Sequence, residues 1–116
     1  MDLSEKSDKE ILSVATPIMD NLMDGSTERN HKKHTRDFTD KAKRIVTKGN
    51  LEKQCKEYQA KWGYFAERKF VGIFRKKDSV TVIWKQTFTK TPDEFVAVLT
   101  LVQKDSRYLV DYALVY

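Results

Sequence analysis

The stretch NLEKQCKEYQAKWGYFAERKF, residues 50–70, holds the change of pattern that decides the fold. Up to Gly63 the apolar residues Leu51, Cys55, Tyr58 and Trp62 recur at i, i+4, i+7 and i+11, which is one face of an α-helix. Gly63 ends that helix, and beyond it the period is that of strands as far as Tyr116. All helix precedes all sheet. This order predicts an α+β chain and argues against βαβ repeats.

Upstream, Ser7 and Glu10 bracket a capping box, and Ile11, Ala15, Ile18 and Leu22 continue it as one apolar face. The helix is expected to run to about residue 24, with Gly25 just past its end. Pro17 inside it should kink it, or Thr16 should cap a second piece. A second helical stretch is expected from residue 27 to about 38, on a thin face of His31, His34 or Thr35, and Phe38. Thr39 caps a short continuation over 40–46, closed by Lys48 and Gly49. Asn50 then caps the helix that ends at Gly63. Residues 1–6 carry no signal of an element and are expected to be disordered ahead of the capped helix.

Downstream, four strands are predicted over 64–74, 79–90, 94–104 and 107–116, with Gly72 a bulge or bend. Turns this short force antiparallel neighbours, hence a meander. Parity separates its faces. Val80, Val82, Trp84 and Phe88 share one side of the second strand, and Tyr108, Val110, Tyr112, Leu114 and Tyr116 share one side of the fourth. The third strand is apolar on both sides. Helices cover only one face of such a sheet, so the other is expected to be covered by a second copy of the chain. Ile83, Val96, Val98 and Val102 are the interface candidates.

The 116 residues are read as a single domain, 1–116, large enough for one core without disulfides or metals. No run approaches a membrane span, and the N-terminal segment lacks the basic and apolar regions of a secretory signal. With Cys55 as the lone cysteine, a cytoplasmic location is expected, secretion staying open if the natural chain begins earlier. The net charge of +5 is spread out, with 13 Lys and Arg against 11 Asp and Glu up to Trp62 and 9 against 6 beyond. A nucleic-acid surface needs a concentrated stripe, so nucleic acid is not an expected partner. The four glycines form no phosphate loop, and no Gly-x-Ser-x-Gly elbow occurs.

The segments ILSVATPIMDNLMDG, RDFTDKAKRIV, NLEKQCKEYQAKWGYF, FVGIFRKKDSVTVIWKQTFTK and YLVDYALVY, in this order, resemble the NTF2-like (cystatin-like) α+β superfamily, most of all its small bacterial branch of uncharacterised members. Phe38-Thr39-Asp40 matches the turn that follows the early helices there. The resemblance implies a curved sheet wrapped on helices into a cone, with a pocket at the open end. Residues placed at that pocket are His31, His34, Phe38, Tyr58, Trp62, Trp84 and Tyr112. The cystatin inhibitors share the order of elements, but their Gln-x-Val-x-Gly loop is missing; the nearest string is Lys69-Phe70-Val71-Gly72.

Members of the superfamily include enzymes and plain binding domains, so chemistry must be argued from residues. His31 and His34 lie on one helix side, but a metal needs a third ligand and no further His exists; metal and cofactors are not expected. They are read as helix-surface histidines at a pocket rim, with one of them as general base the alternative. Asp111 lies inside an apolar strand, and steroid-isomerase members use such an acid together with tyrosine donors. Here Asp111 has the opposite parity to Tyr108 and Tyr112, which counts against a shared catalytic cavity. Cys55 is read as a small core hydrophobe. The expected function is a non-catalytic binding or interaction domain, homodimeric, with a small apolar ligand. A small isomerase or dehydratase is the alternative, and a basic polyanion-binding module the second alternative.

Overall fold

The computed structural model describes residues 2–116. A 3-10 turn, Leu3–Glu5, precedes helix α1, Asp8–Thr27. Leu3 is buried in the core, so the leader expected to be disordered contributes a side chain to it; residue 1 lies outside the described residues. Both arms of the capping box form: Glu10 N–H donates to Ser7 Oγ at 3.2 Å, and Ser7 N–H donates to Glu10 Oε1 at 3.1 Å. Ser7→Ala removes one arm, and urea denaturation should show a loss of about 1 kcal/mol; no loss would mean the box is redundant.

α1 continues through Pro17 as one helix, and Thr16 does not cap a second piece. Pro17 and Ser13 are both exposed, so the Ser13 carbonyl, which proline cannot serve, is left to water. The helix also runs past Gly25. Its end is a Schellman motif, with Asn30 N–H donating to the Gly25 carbonyl at 2.8 Å and Arg29 N–H to the Ser26 carbonyl at 3.0 Å. The left-handed residue is Arg29, at φ 54°. Gly25 serves a different need: a Cβ there would come within 2.5 Å of the His34 backbone nitrogen.

The second helical stretch shrinks to a single turn, α2, His31–His34, capped by Asn30. None of its four residues is fully buried. Helix α3, Asp40–Ile45, is capped by Thr39 as its sequence predicts. Helix α4, Lys48–Trp62, starts earlier than expected, with Thr47 rather than Asn50 as its cap. Gly49 falls in the first turn, in open space. Gly63 stops the helix at φ 86°.

The strands β1, Phe65–Arg75, β2, Val80–Phe88, β3, Thr91–Lys104, and β4, Arg107–Val115, form one antiparallel sheet in the order β1-β2-β3-β4. The helices pack on one face of this curved sheet. There Ile11, Ala15, Met19 and Leu22 of α1 meet Val80, Val82, Leu99, Leu101 and Val110 in a closed core. The bend expected at Gly72 exists as a register shift between Phe70 and Gly72.

β4 departs from simple alternation. Leu101 pairs with Val110 while Thr100 pairs with Tyr112, leaving Asp111 as an extra residue. Val110 is therefore buried with Leu101, whereas Tyr112 joins Thr100 on the opposite face. The shared face expected for Tyr108, Val110, Tyr112 and Leu114 is split at this bulge. Tyr112 and Leu114 stand with Ile83, Val96, Val98 and Val102 on the face that no helix covers.

Candidate functional site

A cavity of about 480 Å³ lies between α1, α3, α4 and β4. The apolar stripe of α4 (Leu51, Cys55, Tyr58, Trp62) lines it, and only the last two of these side chains, Tyr58 and Trp62, pack on rings of the sheet. Met19, Leu22 and Met23 come from α1, Ala42 and Ile45 from α3, and Val110 to Val115 from β4. Rings close one end. Tyr58, Trp62, Phe65, Phe88 and Phe95 stack in a chain with centroids 4.6–5.9 Å apart, in tilted and edge-on pairs. The step at Gly63 sets this end, because Lys90 N–H donates to the Trp62 carbonyl and Thr89 N–H to the Tyr64 carbonyl.

Three polar groups of the wall, on Ser26, Cys55 and Tyr58, are bonded to one another. Cys55 Sγ–H donates to the Ser26 carbonyl at 3.2 Å, and the Ser26 and Tyr58 hydroxyls lie 2.9 Å apart. Gln59 joins α4 to the end of α1: its Oε1 accepts from Arg29 Nε and Nη2, and its Nε2 donates to the Thr27 carbonyl. Burial pushes the Tyr58 phenol above its usual range, so it remains a neutral hydrogen-bonding group. Asp111, brought to the cavity by the bulge, accepts from Thr39 Oγ1 at 3.1 Å and Lys41 Nζ at 2.9 Å. Asp111 and Tyr112, expected from their opposite parity not to share a cavity, both line this one, whereas Tyr108 does not, and the Asp111 carboxylate is engaged by both of these donors.

Of the residues assigned to the pocket from sequence, His34, Phe38, Tyr58, Trp62 and Tyr112 line the cavity. His31 and Trp84 do not. His31 Nε2–H donates to the Val46 carbonyl at 2.8 Å, which spends the ring on joining α2 to the end of α3. Trp84 is buried in the core with the Arg68 guanidinium 5.1 Å above its ring; Arg68 also pairs with Asp20. The two histidines bond in different directions. His34 Nδ1–H donates to the Leu22 carbonyl at 2.7 Å. Among the described residues no group of three or more His, Cys, Asp or Glu comes together as a metal set. Ser26, Met19 and Met23 carry no sequence signal beyond helical periodicity, which reads equally well as core.

Burial lowers the His34 imidazole below 6.5, outweighing the Leu22 carbonyl, which favours the charged form. The folded state therefore binds fewer protons than the unfolded chain just below pH 6.5. The resulting stability is present above that pH and is lost as pH falls toward the folded value. His34→Gln should abolish this part of the slope in urea midpoints measured between pH 7.5 and 5, with carboxylate effects common to both proteins. Parallel curves would mean that His34 stays readily protonated when folded.

No protein-family model matches the chain, and no curated protein matches it in sequence. Solved structures are similar in fold. An NTF-2 like protein of unknown function from Shewanella oneidensis aligns over 89% of this chain and 96% of its own, with TM-score 0.55 and 8% identity. A DUF4783 family protein from Bacteroides uniformis aligns over 83% and 93%, with TM-score 0.51 and 10% identity. For Bdellovibrio bacteriovorus Bd1075 the values are TM-score 0.52 and 11% identity over 87% of this chain, which spans 38% of that protein's length. At such identities the likeness is one of architecture, and the chain has the NTF2-like α+β fold. No helix among the described residues is long and apolar enough to cross a membrane.

Proposed function

We propose that the chain is a non-catalytic binding domain that holds a small apolar ligand in the cavity and pairs with a second copy through the uncovered sheet face. The cavity carries this reading. Its volume lies in the range that ligand sites occupy, and its lining is largely aliphatic and aromatic. The isomerase alternative has less support, because Asp111 is held by Thr39 and Lys41, and His34 is turned to the Leu22 carbonyl. Binding of the fluorescent probe 1-anilinonaphthalene-8-sulfonate tests the cavity. Ala42→Trp fills it from α3 and should weaken the probe by about tenfold or more, roughly 1.4 kcal/mol. Probe binding unchanged in that variant would place the apolar site elsewhere.

The homodimer rests on the other side of the sheet. Ile83, Val98 and Leu114 form one row across β2, β3 and β4, flanked by Val96 on one side and by Thr81, Thr100 and Tyr112 on the other, with Val102 beyond Thr100. Tyr112 is 51% and Leu114 44% exposed. An apolar face that no helix covers is the kind of surface through which two copies pair about a two-fold axis.

A further inference from the structure

β4 borders the cavity in a way that burial of one face does not explain. Strand side chains alternate, so a space under the sheet should meet every second residue. The cavity instead meets Val110, Asp111, Tyr112, Ala113, Leu114 and Val115 in unbroken succession. β1 and β2 contribute one residue each, Phe65 and Phe88, and β3 none. Contact with both parities means that the cavity opens around the outer edge of β4, where the strand presents backbone.

The register identifies the groups on that edge. Val96 and Tyr116 exchange both backbone hydrogen bonds, at 2.7 and 3.0 Å. Antiparallel partners alternate between bonded and non-bonded pairs, so Val98–Leu114 and Thr100–Tyr112 are bonded pairs. The N–H and C=O groups of Ala113 and Val115 then point away from β3, and among the described residues they have no backbone partner. At Val110 the equivalent groups are already used. Val110 N–H donates to the Asp37 carbonyl at 2.7 Å, Thr39 N–H donates to the Val110 carbonyl at 2.9 Å, and Phe38 forms a parallel bridge. The edge thus accepts a fragment of strand from its own chain, which stops where Thr39 caps α3.

We propose that the bare edge at residues 113–115 and the cavity beside it form one site for an extended peptide segment of another polypeptide, added as a fifth strand. Unpaired backbone groups on a strand edge are matched by another extended backbone. Side chains of one parity would enter the apolar cavity, and those of the other would lie beside Tyr112 and Leu114. The fitting segment therefore has apolar residues at alternate positions. A second copy of this chain fits the edge poorly, because its own inward β4 residues, Ala113 and Val115, pack against its own core and cannot reach into a neighbour's cavity. This inference rests on the cavity reading above for where the side chains go, and adds the backbone as the means of recognition.

The probe is a blocked, fluorescently labelled hexapeptide alternating leucine and threonine, compared with the same peptide N-methylated at alternate residues. The unmodified peptide should bind, and at saturation should slow amide hydrogen exchange at Ala113 and Val115 by about tenfold or more. N-methylation should weaken binding by about tenfold or more, since it removes ladder donors and leaves every side chain in place. Ala113→Pro deletes a donor the fold itself does not use and should weaken the unmodified peptide about as much as N-methylation does; should it fail to fold, Val115→Pro gives the same reading. Equal binding of the two peptides overturns the strand addition. So does a protein that binds the anilinonaphthalene probe and not the peptide, a result that leaves the apolar-ligand reading standing. Failure of both ligands defeats both readings. Protection of Ala113 and Val115 that rises with protein concentration in the absence of peptide assigns the edge to a second copy and overturns the proposal.

Discussion

Gly25→Ala is expected to destabilise the protein by about 2–3 kcal/mol, although alanine is normally better than glycine inside a helix by about 1 kcal/mol. The reversal follows from what surrounds the position. The new methyl would lie 2.5 Å from the His34 nitrogen and 2.6 Å from its Cα, which are backbone atoms that cannot swing aside as a flexible side-chain end can. Relief requires moving α2 off the end of α1. That movement strains the bond from His34 Nδ1–H to the Leu22 carbonyl and the one from Asn21 Nδ2 to the Lys33 carbonyl. Urea denaturation followed by circular dichroism measures the change, with a lower midpoint at constant slope as the expected form. An unchanged or raised midpoint would show that the contact between α1 and α2 opens at no cost.

Val98→Lys should convert the proposed homodimer to a monomer over the whole accessible concentration range. Val98 stands mid-row on the uncovered face, with Ile83 on β2 and Leu114 on β4 as its neighbours. A two-fold interface meets this substitution twice and must desolvate two ammonium groups against apolar surface, so dissociation should become easier by about 100-fold or more. The folded monomer loses little, because the side chain points away from the helices and lysine can extend its stem along the sheet. Sedimentation equilibrium is the measurement. A variant with the mass of the native protein, or a native protein that is monomeric throughout, would remove the sheet face as the interface.

The change of period at Gly63 made the architecture legible, because amphipathic helices and alternating strands leave different spacings. Ser7 and Thr39 were legible as caps, since a hydroxyl followed three residues later by a free N–H is a local arrangement. Errors arose where a distant contact decided. Gly25 has the composition of a helix stop, yet α1 continues because the chain needs room for His34. The stop falls instead on Arg29, whose guanidinium is held across the fold by Gln59 and Glu52. The β4 bulge left no trace, because Leu109, Val110, Tyr112, Ala113 and Leu114 offer apolar residues on both parities and either register looks acceptable. The cavity was half legible for the same reason. The α4 stripe points to a buried face, but spacing alone does not say whether that face meets a sheet or a space. Trp84 has the ring type of a pocket residue, yet it is buried with Val80 and Val82 on the core side of β2, under the Arg68 guanidinium.

The two margins of the sheet are not alike. β1 is interrupted by register shifts at Phe65/Arg68 and at Phe70/Gly72, whereas β4 beyond its bulge runs regularly to its end. Fibres that grow by stacking molecules side by side need two compatible margins, one to offer and one to receive, repeated without closure. Here an arrival at β4 finds a far margin broken into short runs, of which residues 72–75 form the longest in regular register. The interruptions of β1 work against the open-ended stacking that an apolar flank would otherwise invite.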